Sequence, residues 1–90
     1  MCTGATLSRL VCRSTGADLI LGFADPADHE KLPMYAGAIV GPVANRIAGG
    51  MVKIDGVRHQ MPRNENGRTC LHSGPDGTHA RRWTIAEQSL

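Results

Sequence analysis

The sequence predicts an all-β fold built from short antiparallel strands. Its 90 residues include eleven glycines and five prolines, which favour frequent turns over long helices. An Asp55-Gly56 pair lies between two alternating segments, which is the pattern of a tight β-hairpin. Aromatic residues make up only 3% of the chain, so the core must come from aliphatic side chains, which is little for an independent fold.

Two segments near the N-terminus alternate apolar and polar residues. Residues 5–11 read as a strand, residues 13–16 as a turn, and residues 17–23 as the return strand of a first hairpin. A short helix is predicted over residues 25–32, because an N-capping aspartate followed by proline starts it and Pro33 stops it. His29 in this helix is expected to be exposed.

The clearest hairpin joins residues 51–54 to residues 57–61. A two-residue turn pairs Val52 with His59 and places both on the apolar face. A lone histidine on such a face is weak evidence for function, so we expect His59 to be packed or at a sheet edge. Residues 83–85 read as the start of a further strand.

Charge and cysteine content argue against several functional classes. Ten basic and eight acidic residues give a net charge of +2, and the scattered basic residues argue against a nucleic-acid partner. The three cysteines, Cys2, Cys12 and Cys70, show no close pairing, which favours a reducing, cytoplasmic location. No apolar run reaches the length of a membrane span and no secretory signal is recognisable, so no membrane partner is expected.

One stretch carries the strongest functional signal. Residues 37–47 form an apolar run that is expected to be buried, yet it contains the polar pair Asn45-Arg46. Burying such a pair is costly unless it finds partners. An arginine held this way binds oxygen atoms, either of a protein carboxylate or of a ligand, and the sequence leaves both open.

A second cluster contains Cys70, His72 and His79. Their spacing does not match a standard zinc site, and nothing indicates that Cys70 is a reactive thiol. His72 follows an apolar triplet and precedes a turn, and side chains at strand ends often meet ligands. From these residues alone, a structural histidine is the commoner outcome.

Five motifs, taken in order, resemble the N-terminal part of the aldose 1-epimerases, or galactose mutarotases. They are residues 35–41 (YAGAIVG), 43–48 (VANRIA), 54–56 (IDG), 71–74 (LHSG) and 82–83 (RW). The resemblance runs from about residue 4 to residue 83. The second and fourth motifs, about 25 residues apart around the Asp-Gly hairpin, are fairly specific together.

The resemblance implies that residues 1–90 are an incomplete, N-terminal portion of a large antiparallel β-sandwich, truncated at the C-terminus and at the N-terminus. It implies an isomerase that interconverts the α and β anomers of a free hexose such as glucose or galactose, without metal or cofactor. In that chemistry an acid protonates the ring oxygen and a carboxylate base takes the proton of the C1 hydroxyl.

Three site residues follow from the matching motifs. Arg46 matches the arginine that hydrogen-bonds sugar oxygens, and Asn45 matches its neighbour in the sugar site. His72, the candidate catalytic residue, matches a histidine that contacts the substrate near the ring oxygen and C6. This sequence departs from the family pattern at two nearby positions. Pro42 stands where many members have arginine, and Ser73 replaces a common glycine.

The resemblance also places the remaining catalytic groups beyond residue 90. These are a second histidine, a sugar-binding aspartate and a glutamate base, and none of the eight carboxylates here matches them. The isolated chain is therefore expected to be inactive. Two alternatives stay open: a non-catalytic carbohydrate-binding relative, and a truncated remnant without function.

Overall fold

The computed structural model describes residues 2–32 and 34–89. Strands dominate its regular structure, with β1 (Arg46–Ala48), β2 (Met51–Ile54), β3 (Val57–Gln60) and β4 (Thr69–Leu71). A short helix, α1 (Asp28–Lys31), and a 3₁₀ turn at Thr78–Ala80 complete the elements. The strands form two antiparallel pairs, β1 with β4 and β2 with β3, so the predicted antiparallel β fold is confirmed. The chain divides into two compact units, residues 1–39 with 79–90 and residues 40–78.

The β2–β3 hairpin forms as the sequence predicts. Asp55 and Gly56 have φ values of 49° and 82°, and two positive φ angles are what a type I′ turn requires. The register pairs Val52 with His59. His59 is exposed on β3, which belongs to a two-stranded sheet, and this agrees with the predicted edge position.

The predicted N-terminal hairpin is reduced to one bridge, between Val11 and Asp18. The reason is local, because Asp18 Oδ1 accepts the backbone N–H groups of Leu10 and Ile20, each at 3.1 Å. The Leu19 N–H still donates to the Leu10 carbonyl at 2.8 Å, but the Asp18 side chain takes N–H groups that a longer ladder would use, so no continuous strand pair forms.

Helix α1 is shorter than predicted. The Asp25 carboxylate accepts the N–H of Ala27 at 2.9 Å, but Ala27 itself occupies the N-cap, so the helix starts later. It ends where expected, because Leu32 is extended, with φ −109° and ψ 119°. Such geometry is what a following proline imposes.

Two further expectations are wrong, both for the unit that contains residues 1–39 and 79–90. His29 is half-buried rather than exposed, since its Nε2 accepts the N–H of Phe23 at 3.3 Å and the two rings meet edge to face. Residues 83–85 form no strand, and antiparallel pairing here is limited to an isolated bridge between Thr3 and Arg82.

Little apolar surface is buried in the described residues. Cys70 on β4 is the fully buried hydrophobic side chain among them, with 1% exposure. The expectation that residues 37–47 are buried is wrong, because Ile39 is 52% exposed and Val43 is 42% exposed. At several turns the backbone conformation favours glycine.

The connection from β1 to β2 contains two such glycines. Gly49 and Gly50 both have φ +64°, a conformation that residues with a Cβ rarely adopt. A Cβ on Gly50 would lie 2.6 Å from the carbonyl oxygen of Met61, whereas a Cβ on Gly49 would meet nothing within 4 Å. Only the second glycine is thus required by close packing as well as by backbone conformation.

We expect Gly50→Ala to destabilise the chain more than Gly49→Ala. The Gly49→Ala change carries the conformational cost alone, about 1–2 kcal/mol. Gly50→Ala adds a clash with the backbone of residue 61, so its loss of unfolding free energy is larger. Urea denaturation followed by circular dichroism measures both, and equal losses would contradict the close approach at Gly50.

Candidate functional site

The pairing of β1 with β4 brings the three residues of interest to one end of a sheet. Arg46 pairs with Leu71 and Ile47 pairs with Cys70 in antiparallel register. Asn45 and His72 are the next residues outward on the two strands, so they face each other across the end of the pair.

Asn45 and His72 are joined by two hydrogen bonds. The His72 N–H donates to the Asn45 carbonyl oxygen at 3.1 Å, and the Asn45 N–H donates to His72 Nδ1 at 2.9 Å. Because Nδ1 accepts this bond, the neutral imidazole carries its proton on Nε2. The donor of the neutral ring is therefore Nε2–H, and the ring is tied to the backbone of the opposite strand through Nδ1.

Left-handed backbone geometry turns the chain at this point. Asn45, His72 and Ser73 have φ values of 64°, 51° and 67°. The Ser73 hydroxyl accepts the N–H of Val43 at 2.8 Å and lies 3.1 Å from the Val43 carbonyl oxygen, to which it can donate. A glycine at position 73 could make neither bond, so Ser73 adds a link beside Asn45 and His72.

Arg46 is held by a protein carboxylate, that of Glu65. Arg46 Nε donates to Glu65 Oε2 and Arg46 Nη2 donates to Glu65 Oε1, both at 2.6 Å. The Thr69 hydroxyl donates to Glu65 Oε2 at 2.7 Å. On its other side, Arg46 Nη1 lies 3.5 Å from Asn45 Oδ1. The guanidinium therefore has two different edges. The edge with Nε and Nη2 is paired with Glu65, and Nη1 lies on the side of Asn45.

The ion pair changes the acid–base properties of Glu65. The hydrogen bonds from Arg46 and then from Thr69 lower the pKa of Glu65 from 4.5 to about 2. The bond to Glu65 raises the pKa of Arg46 above its ordinary value. Both groups are charged at neutral pH, and a carboxylate with so low a pKa is a poor proton acceptor.

Sequence reasoning did not single out Glu65, because it lies in a segment that reads only as a loop. The loop is placed by the Asn64 side chain, which pairs with the backbone of Leu71: the Leu71 N–H donates to Asn64 Oδ1 at 2.8 Å, and Asn64 Nδ2 donates to the Leu71 carbonyl at 3.1 Å. An isolated bridge between Glu65 and Thr69 completes the arrangement. No residue pattern in this loop marks Glu65 as the partner of Arg46.

Thiol and metal hypotheses for this region gain no support from the geometry. Cys70 is 1% exposed and pairs with Ile47 in the sheet. Among residues 2–32 and 34–89, no three histidine, cysteine, aspartate or glutamate side chains are grouped closely enough to share a metal ion. Within the same residues, no helix has the length and apolar character needed to cross a membrane.

Comparison with solved structures assigns the fold. The GalM/aldose epimerase homologue from C. elegans matches with a TM-score of 0.84 and 33% identity, over 98% of this chain and 28% of that chain. Galactose 1-epimerase from Lactobacillus acidophilus matches with a TM-score of 0.74 and 32% identity, over 90% of this chain and 23% of that one. The chain thus has the fold of part of an aldose epimerase.

Sequence comparison identifies the family. The galactose mutarotase of Sus scrofa is 37% identical over 83 residues, which is 92% of this chain and 24% of that protein. The family model described as aldose 1-epimerase matches residues 1–90. The chain therefore belongs to the aldose 1-epimerase family, and the resemblance inferred from its motifs is confirmed. It spans about a quarter of the length of the mammalian relatives it matches.

We expect the stability of the chain to depend on Glu65 at acidic pH. The pKa of Glu65 is lower in the folded chain than its ordinary value, so protonation opposes folding. Its contribution is complete above pH 4.5 and is lost as the pH falls towards about 2. Across that interval, urea midpoints of the wild type should fall more than those of Glu65→Gln.

The matched control for this measurement is Glu87→Gln, which changes the same charge at an exposed position outside residues 40–78. This variant should keep the acid dependence of the wild type. If Glu65→Gln and the wild type lose stability in parallel as the pH falls, the stabilising ion pair is refuted.

Proposed function

We propose that this chain supplies part of the sugar-binding surface of an aldose 1-epimerase, an isomerase that interconverts the α and β anomers of a free hexose. The observation that carries the proposal is the meeting of Asn45, Arg46 and His72 at one end of the β1–β4 pair. Relatives named galactose mutarotase and galactose 1-epimerase support galactose as the hexose, with glucose as the other candidate.

The three side chains offer the groups that bind a neutral sugar. Arg46 presents the N–H groups that Glu65 does not occupy, and His72 presents Nε2–H. Sugar hydroxyls and the ring oxygen accept such bonds. We assign His72 to the region of the ring oxygen, where a donor favours ring opening because it stabilises the charge that develops there.

Glu65 does not serve as the base in this proposal. The base must accept the proton of the C1 hydroxyl, which calls for a pKa near the working pH. The pKa of Glu65 lies at about 2, because Arg46 and Thr69 both stabilise the carboxylate. Glu65 is therefore the partner of Arg46, and the proton-accepting carboxylate is another residue of the enzyme.

Non-catalytic sugar binding is the second candidate function. It is favoured by the same observation, since the described residues around Arg46 supply hydrogen-bond donors beside a carboxylate that is a weak base.

For the location of the protein, we propose the cytoplasm. Cys2, Cys12 and Cys70 are not in disulfides, and the reducing conditions of the cytoplasm keep thiols free.

We expect D-galactose to bind the chain at the end of the β1–β4 pair. In an NMR titration, the backbone amide signals of Asn45 and His72 should shift with galactose concentration. Arg46→Lys should weaken the affinity about tenfold, because an ammonium group cannot present the planar, fixed donors of a guanidinium. Arg58→Lys, on the exposed strand β3, is the matched control and should leave the affinity unchanged. Shifts confined to other residues would refute the proposed site.

We also expect the 90-residue chain alone not to accelerate mutarotation. Polarimetry of freshly dissolved α-D-galactose should give the spontaneous rate, because the carboxylate beside Arg46 is too weak a base. Buffer alone and an equal concentration of free imidazole are the controls, since small acids and bases also catalyse this reaction. A rate typical of an enzyme would show that the base lies within these residues.

A further inference from the structure

The Arg46 side chain is more constrained than its exposure suggests. A guanidinium has five N–H donors in a fixed plane. Glu65 takes one from Nε and one from Nη2, both at 2.6 Å, which fixes the plane and the direction of the paired edge. Nη1 is then turned towards Asn45 Oδ1, at 3.5 Å. Glu65 thus determines which N–H groups of Arg46 remain for a ligand.

Glu65 is the better-anchored member of the pair. Its side chain is 26% exposed, against 55% for Arg46. Its Oε2 accepts the Thr69 hydroxyl at 2.7 Å, and its backbone accepts the N–H of Arg68 at 3.0 Å and exchanges bonds with Thr69. Because one end of the ion pair is fixed to β4, the carboxylate positions the arginine rather than the reverse.

The pair also sets the local charge. Arg46 from β1 faces Glu65 directly, and His72 beyond the end of β4 is the other titratable group that acts on the carboxylate. An isolated guanidinium attracts anions strongly, whereas the ion pair of a guanidinium and a carboxylate has no net charge and attracts them less. Such a pair suits an uncharged hydroxyl better than a phosphate or a carboxylate.

We propose that Glu65 is a positioning residue that selects the donors Arg46 presents and makes the site favour a neutral sugar over an anionic one. The inference rests on the proposed function, in which Arg46 binds the sugar. The Glu65 carboxylate is ionised at neutral pH, so it offsets the positive charge of Arg46 under the conditions in which a sugar is bound.

The test compares D-galactose with D-galactose 6-phosphate at constant ionic strength, by NMR titration of the full chain. The wild type should favour galactose. Glu65→Gln should weaken galactose binding about tenfold and move the ratio of the two dissociation constants towards the phosphate by at least about tenfold. Glu87→Gln makes the same change in net charge elsewhere and should leave the ratio unmoved.

A second pair of variants keeps the test decisive if Glu65→Gln does not fold. Thr69→Val removes the anchor of Glu65 but keeps both charges, and Thr69→Ser keeps the hydroxyl. Thr69→Val should weaken galactose binding, but its loss of affinity should be smaller than that of Glu65→Gln. Thr69→Ser should bind galactose like the wild type. The arginine Nε–H signal of Arg46 should broaden in Thr69→Val, since the carboxylate that accepts this N–H is held less firmly without the Thr69 hydroxyl.

The outcomes separate this inference from the proposed function. If the wild type binds galactose at Asn45 and His72 but Glu65→Gln keeps both its affinity and its ratio, the role of Glu65 is wrong and the sugar site stands. If Glu65→Gln does not fold and Thr69→Val binds galactose like the wild type, the role of Glu65 is again wrong. If the wild type binds neither sugar, the proposed function fails and the inference fails with it.

Discussion

The antiparallel register of β1 and β4 is the constraint on which the candidate site depends. It sets Arg46 opposite Leu71, and every other relationship follows from that alignment. Asn45 meets His72 because each is one residue beyond the pair, and Asn64 brings the loop that carries Glu65 alongside by bonding the backbone of Leu71. A slip of one residue would separate all of these groups, since side chains in a strand alternate between faces.

The structure changes the interpretation of Arg46. From the sequence, a protein carboxylate and a ligand were alternative partners for this arginine. The guanidinium has enough donors for both, because Glu65 occupies one edge and leaves N–H groups on the other. The carboxylate therefore does not argue against a ligand. Under our proposal, it sets the direction and the net charge of the groups that a ligand contacts.

Local patterns carried most of what the sequence could predict. The Asp55-Gly56 turn specified the β2–β3 register by itself, since positive φ at both positions suits this pair. The motifs around Arg46 and His72 identified residues that do lie together. Contacts such as that of Asp18 with two backbone N–H groups were not predictable, because a side chain that replaces a strand ladder leaves no periodic signal. The prediction that residues 37–47 are buried was wrong. Burial depends on which other parts of the fold pack against a segment, and the local residue pattern does not specify these.

The reciprocal bonds between Asn45 and His72 have a consequence for the energetics of recognition. The imidazole cannot rotate about its side-chain torsions without giving up a bond to the main chain of the opposite strand. Its rotational entropy is therefore lost when the strands pair, before any ligand arrives. A ligand that meets this ring has less ordering left to impose, so more of its contact energy remains as affinity.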